Sequence, residues 1–169
     1  MTVYGFLHTA DAHVPTFTAL LADLSPGDTA VHVVDPVLLA AARARGAVDD
    51  DLRRRIGARL HELTAGGARR ALCTCSTIGA AAERAGAAAG VTVLRVDRPM
   101  AEAAVAAGGR IAIVAAVDST LGPTRALLTE VAGAAGRPIE LVDSPCLEAW
   151  PTSRPATTTA IWPPWPATC

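Results

Sequence analysis

Arg70-Ala71-Leu72-Cys73-Thr74-Cys75-Ser76-Thr77-Ile78-Gly79 is a short apolar run ending in two cysteines, two small hydroxyl residues and a glycine. The alanine-rich stretch Ala80–Ala89 follows at once. A strand that hands over directly to a helix is the repeating step of a parallel α/β sheet. Ser76 or Thr77 is the expected N-cap, because a short side-chain oxygen there accepts a bond from an orphaned N–H of the first turn. In such sheets ligands bind in the crevice at the C-terminal ends of the strands. A thiol at that point lies beside helix N–H groups and the positive end of the helix dipole, which favour thiolate over thiol.

The same alternation extends in both directions. Val3–His8, Ala30–Val34, Ala68–Thr74, Val91–Val96, Arg110–Val117 and Pro138–Val142 read as strands. Between them Pro15–Leu24, Val37–Arg45 and Leu52–Thr64 read as helices, the last with Leu52, Ile56, Leu60 and Leu63 on one face. A further helix opens at Asp97-Arg98-Pro99-Met100 and runs through Ala107. Ser119-Thr120 begins another strand-to-helix transition, with Pro123 in its first turn. Gly46, Gly66-Gly67, Gly90 and Gly108-Gly109 punctuate the pattern. Strand–helix alternation throughout predicts parallel pairing with right-handed crossovers. Pro15-Thr16 to Asp35 and Pro123-Thr124 to Asp143 also echo one another, each helix carrying Ala-Leu-Leu, which points to two related halves.

Composition narrows the function. Of 169 residues, 51% are apolar but only 4% aromatic, which predicts thin alanine-faced helices on a Val/Ile/Leu sheet. A net charge of −1 with no long basic run gives no footprint for nucleic acid or an anionic membrane. Arg53-Arg54-Arg55 after Asp49-Asp50-Asp51 reads as a solvated helix start. With no signal-peptide pattern and no apolar run long enough for a bilayer, the expected location is the cytoplasm. Four cysteines there are expected to be free thiols.

Cys75 has two readings: a catalytic thiol at a strand end, or a small buried hydrophobe. Cys73, two residues back on the same side of the strand, reads as core packing. Cys73, Cys75, Cys146 and Cys169 lack the spacing of a zinc site, and Cys-Thr-Cys lacks the two-residue spacer of a redox pair. His8, ending the first strand beside Thr9, could orient a carboxylate or shuttle a proton; it could equally be a hydrogen-bonded strand-end histidine. His13, His32 and His61 read as structural or surface residues. Ser119 and Thr120 are either an anion site at a helix start or an ordinary N-cap pair. A tunable thiol among hydroxyls and helix N-termini, with no Gly-rich nucleotide loop, suits proton transfer at the α-carbon of a small carboxylate. That chemistry needs no cofactor.

These residues resemble the aspartate/glutamate/hydantoin racemase superfamily, which includes arylmalonate decarboxylase-like and maleate isomerase-like enzymes. His8-Thr9 matches the family's start, and Cys75-Ser76-Thr77 stands where many members have Cys-Asn-Thr. Asp97-Arg98-Pro99-Met100 and Ser119-Thr120 fall where the second lobe begins. The likeness covers about residues 3 to 150. It implies two pseudo-symmetric parallel-sheet α/β lobes with flavodoxin-like layering. The first lobe spans residues 1–96 and carries Cys75, the second is incomplete over 97–150, and an irregular tail occupies 151–169. It implies a cofactor-independent racemase or epimerase with Cys75 as catalytic base, and His8, Thr9, Ser76, Thr77, Ser119 and Thr120 binding the substrate. The implied partner is a small carboxylate or amino-acid-like substrate; a homo-oligomer is expected as well, from the partly uncovered sheet. A second cysteine from the second lobe would fall beyond Trp150. The alternatives are therefore a one-cysteine decarboxylase or isomerase, or a non-catalytic remnant that binds small carboxylates.

Pro151–Cys169 is rich in Pro and Thr, without periodicity, and is expected to be irregular apart from Trp162 and Trp165. Read one base earlier through GC-rich codons, it becomes helix-like, which makes a frameshifted end the expectation. A sheet left partly uncovered predicts self-association.

Overall fold

In the computed structural model the described residues are 1–146, so the expectations for Trp150, Trp162, Trp165, Cys169 and the tail lie outside them. The chain divides into two compact units between Ala101 and Glu102.

The first unit holds β1 (Val3–His8), α1 (His13–Leu24), β2 (Thr29–Val34), α2 (Pro36–Arg45), α3 (Asp50–Ala65), β3 (Arg70–Cys73), α4 (Ser76–Ala89) and β4 (Thr92–Arg95). Its four strands lie in the order β2-β1-β3-β4, all parallel. The chain steps from β1 to one side, then returns to the other side of β1. That reversal separates the loops leaving β1 and β3, and it makes the crevice between their C-terminal ends the topological switch point. His8-Thr9 and Thr74-Cys75 stand there.

Helices cover both faces. Phe6 of β1 meets Phe17 of α1, with 5.7 Å between ring centroids. On the opposite face, Leu52, Ile56, Leu60 and Leu63 of α3 are all buried, the predicted stripe, and they join Leu7, Ala71 and Ile78 in one core. Asp49 caps α3 by accepting from the Leu52 N–H at 2.9 Å. The helix ends at Gly66 and Gly67, and the Ala68 N–H folds back onto the Leu63 carbonyl at 3.0 Å. This capping takes Ala68 and Arg69 out of the strand expected to begin there, so β3 has only four residues.

α4 lies close on β3 and β4 because its residues are small. A Cβ placed on Gly86 would stand 2.6 Å from the Val91 carbonyl oxygen and 2.8 Å from Val93 Cγ2. Backbone cannot retreat as a flexible side chain can. Gly86→Ala should therefore destabilise by about 1–3 kcal/mol in chemical denaturation, despite the ~1 kcal/mol that helix propensity favours alanine.

The division falls within α5 (Arg98–Ala107), and the second unit continues with β5 (Gly109–Ala115), α6 (Asp118–Ala135) and β6 (Ile139–Pro145). β5 and β6 pair in parallel, and α6 buries Thr124, Leu127, Leu128 and Ala132 along one face. This β-α-β step matches β1-α1-β2 in kind, as the sequence echo predicts. The echoed aspartates diverge in role: Asp35 caps α2, whereas Asp143 lies within β6 and pairs with Arg125 of α6 at 2.7 Å. Among the described residues no helix is long and apolar enough to cross a membrane.

Candidate functional site

Strand alternation sorts the switch-point residues onto two faces. Leu7 pairs in register with Cys73, and both point into the α3/α4 core, where Cys73 is fully buried. His8 and Thr74 point the other way, towards α1. The Thr74 N–H donates to the Leu7 carbonyl at 3.0 Å, which holds the two strand ends together.

Cys75 is itself the N-cap residue of α4, one residue earlier than expected for Ser76 or Thr77. Its backbone is extended (φ −124°, ψ 114°), and its side chain makes no cap hydrogen bond. The chain leaves β3 extended and turns helical immediately, so Cys75 holds the chain position that a capping Ser or Asp would take. Ser76 and Thr77 form that first turn. Cys75 keeps 8% exposure and borders the hydrophobic core. Cys73 is sealed: burial pushes its thiol up to about 12, and the S–H points to the Cys75 carbonyl at 3.6 Å. Its reading as core packing holds.

A buried ion pair supports this turn. Arg95, at the end of β4 and 2% exposed, donates from Nε to Asp97 Oδ1 at 2.9 Å and from Nη2 to Oδ2 at 2.7 Å. The same Nη2 lies 3.5 Å from the Ser76 carbonyl. Gly79 leaves the space for this side chain, since a Cβ there would stand 2.8 Å from Arg95 Nε. Asp97, part of the motif placed at the start of a second lobe, serves this pair.

At the end of β2, Asp35 is 4% exposed and accepts from Arg55 Nε at 2.6 Å and Arg59 Nε at 3.0 Å. Burial would raise its carboxyl, but hydrogen bonds from the two guanidiniums outweigh that and hold it below the usual range. Arg53 and Arg54 pair with Asp50 and Asp51 at the surface as expected. Arg55 departs from that reading by reaching across to Asp35.

His8 is fully buried. Its Nδ1 lies 2.9 Å from Thr74 Oγ1 and its Nε2 2.9 Å from His32 Nδ1. Burial, then the neighbouring His32 and His13, lower its pKa from 6.5 to about 4. Burial lowers His32 as well. The folded state thus keeps His8 neutral, while the unfolded chain takes up a proton near 6.5. Because the unfolded state binds more protons, stability from His8 is complete above pH 6.5 and is lost as pH falls towards 4. The loss by pH 4 is roughly 3 kcal/mol. Thermal melts across this range should show the decline, and His8→Gln should remove most of it.

Thr9 follows His8 at 8% exposure. Ser119 and Thr120 are half-buried in the first turn of α6, whose N-cap residue is Val117. They lie inside the helix because it begins at Asp118, before the expected turn. Among the described residues no group of three or more His, Cys, Asp or Glu could hold a metal ion. Thr74 carries no signal in the sequence, where His32 reads as structural or surface. A register pairing Phe6 with His32 would have placed His32 on the face of His8, but register is not written in the residues themselves.

The chain is therefore a parallel α/β protein with a thiol at the head of a helix on its switch point. A crystal structure of a Yersinia pestis protein provisionally assigned as an Asp/Glu racemase shares this fold. The likeness has a TM-score of 0.63 at 16% sequence identity, over 88% of this chain and 68% of that one. No protein-family profile matches the chain, and no curated protein does.

Proposed function

We propose that this chain is a cofactor-independent racemase or epimerase of small amino acids, of the Asp/Glu/hydantoin type, acting by α-proton transfer at Cys75. The observation that carries the reading is the position of Cys75 as N-cap residue of α4 beside the β1/β3 switch point. The shared fold with the Yersinia pestis protein supports it.

In this reaction the Cys75 thiolate takes the proton from the substrate's α-carbon. The Cα–H bond breaks, an S–H bond forms, and the electron pair moves into the carboxylate as an enolate-like dianion. The N–H groups at the start of α4 face that charge and need no reorganisation to stabilise it. Water on the opposite face of the carbon supplies the proton that inverts it, and the Cys75 S–H gives its own proton up to solvent to restore the thiolate. Thr9, Ser76 and Thr77 orient the substrate at the strand ends. His8 has both ring nitrogens engaged within the protein, so it contributes through Thr74. The same reading takes the protein as cytoplasmic and as a homo-oligomer, the assembly supported by exposed Leu24, Leu94 and Met100.

The seclusion of Cys73 favours a second reading, a decarboxylase or isomerase that uses one thiol, because a sealed Cys73 leaves Cys75 alone of this pair for the chemistry. Incubation in deuterium oxide with a panel of small α-amino, α-hydroxy and malonate-type acids separates the readings. Deuterium at the α-carbon with both enantiomers formed supports the racemase. Loss of carbon dioxide, or isomerisation, supports the second reading. Ligand-induced stabilisation without any chemistry would leave only a carboxylate-binding protein.

A further inference from the structure

We infer that Thr74, His8, His32 and Thr18 form a proton relay running from the residue after β3 to the exposed Thr18 of α1. Four side chains, from β1, β2, α1 and the turn after β3, make one unbroken line. Thr74 Oγ1 lies 2.9 Å from His8 Nδ1, His8 Nε2 lies 2.9 Å from His32 Nδ1, and His32 Nε2 lies 3.0 Å from Thr18 Oγ1. Accessibility changes along the line in the way a relay needs. Thr74 is half-buried at the switch point, His8 is sealed, His32 is half-buried and Thr18 is exposed.

The line can be hydrogen-bonded in either direction without a group left over. In one, Thr74 donates to His8, His8 to His32, and His32 to Thr18, whose hydroxyl donates to the Val14 carbonyl at 2.8 Å. In the other, every proton sits on the opposite atom, and Thr74 donates to the Leu7 carbonyl at 3.3 Å. The shorter terminal bond favours the first. Passing from the first to the second breaks the Thr74 O–H, His8 Nε2–H and His32 Nε2–H bonds. It forms His8 Nδ1–H, His32 Nδ1–H and a new O–H on Thr18, which releases its original proton to water. Thr74 regains a proton from water at the switch point. One proton enters, one leaves, and both imidazoles stay neutral.

The surroundings keep the rings neutral and aligned. Phe6 stacks on His32 at 4.9 Å, and Phe17 lies 5.7 Å from the His8 ring. The other titratable group at the pair is His13, 6.1 Å from His8. The identity of the proton carried, the one exchanged at Cys75, rests on the racemase-type reading; the existence of the relay does not.

The test is therefore made without substrate, by measuring exchange of the His8 Nε2–H with water in histidine-labelled protein by nitrogen-15 NMR. Thr18→Val and Thr74→Val should each slow this exchange by roughly an order of magnitude or more, and serine at either position should restore it. Thr18 is exposed on α1, so its valine variant is expected to fold. Unchanged or faster exchange in Thr18→Val overturns the relay, since a structural hydroxyl would on removal only loosen α1. In a parallel deuterium wash-in, slowing by Thr18→Val supports delivery to the site. Wild-type protein that lacks wash-in but keeps the valine effect retains the relay and sinks the racemase reading.

Discussion

Cys75→Ser should abolish α-deuterium wash-in, lowering it by roughly 10³-fold or more, within the range that one positioned proton-transfer group contributes. A serine hydroxyl has nearly the volume of the thiol but holds its proton far too firmly to exchange it with an α-carbon near neutral pH. It is also a better N-cap than cysteine, so the fold should be kept or slightly stabilised. Substrate-induced thermal stabilisation should persist, because the carboxylate still meets the first-turn N–H groups of α4. Cys73→Ala offers the contrast. It removes a fully buried sulfur, so it should lower stability by about 1–3 kcal/mol while leaving wash-in per folded molecule close to wild type. A serine variant that retained full exchange would place the chemistry elsewhere.

The second large effect belongs to stability. Asp97→Ala should destabilise the first unit by about 3–5 kcal/mol, because it leaves the Arg95 guanidinium charged and unpaired in the interior. That is a large share of the roughly 5–15 kcal/mol that holds a domain together. Arg98–Glu83 has a comparable length of 2.9 Å but partly exposed partners, and Glu83→Ala should cost about 1 kcal/mol or less. Urea denaturation of the two variants side by side measures the difference. The Asp97 variant should also disturb the first turn of α4, which Arg95 touches at Ser76 and Gly79. Replacing both members, Arg95→Met with Asp97→Leu, should recover most of the stability. If Asp97→Ala costs no more than Glu83→Ala, the pair is not the interior element described here.

The parts of this fold legible in the sequence are those written in local periodicity. Val3–His8 and the α3 stripe stand where the apolar spacing puts them, because a strand or amphipathic face depends only on neighbouring residues. Helix starts were less legible. α4 and α6 begin earlier than their hydroxyl residues suggest, since extended Cys75 and Val117 turn directly into helix. The site was half legible. Cys75, His8 and Thr9 follow from strand ends alone, but Thr74, His32 and Thr18 come together only through the register of β1, β2 and β3 and the docking of α1. The Arg95–Asp97 pair escaped for a related reason: two residues apart, the pair looks like ordinary surface charge until burial is known.

Everything functional in this account requires Cys75 to be a reactive thiol at a carboxylate-binding strand end. The most direct measurement is alkylation of the native protein with iodoacetamide, mapped by peptide mass, with and without small α-amino acids. Modification is expected at Cys75 and not at Cys73, with Cys75 protected by those amino acids that undergo wash-in. A Cys75 that stays unmodified until the protein unfolds, or one alkylated equally fast whatever carboxylate is present, would contradict it.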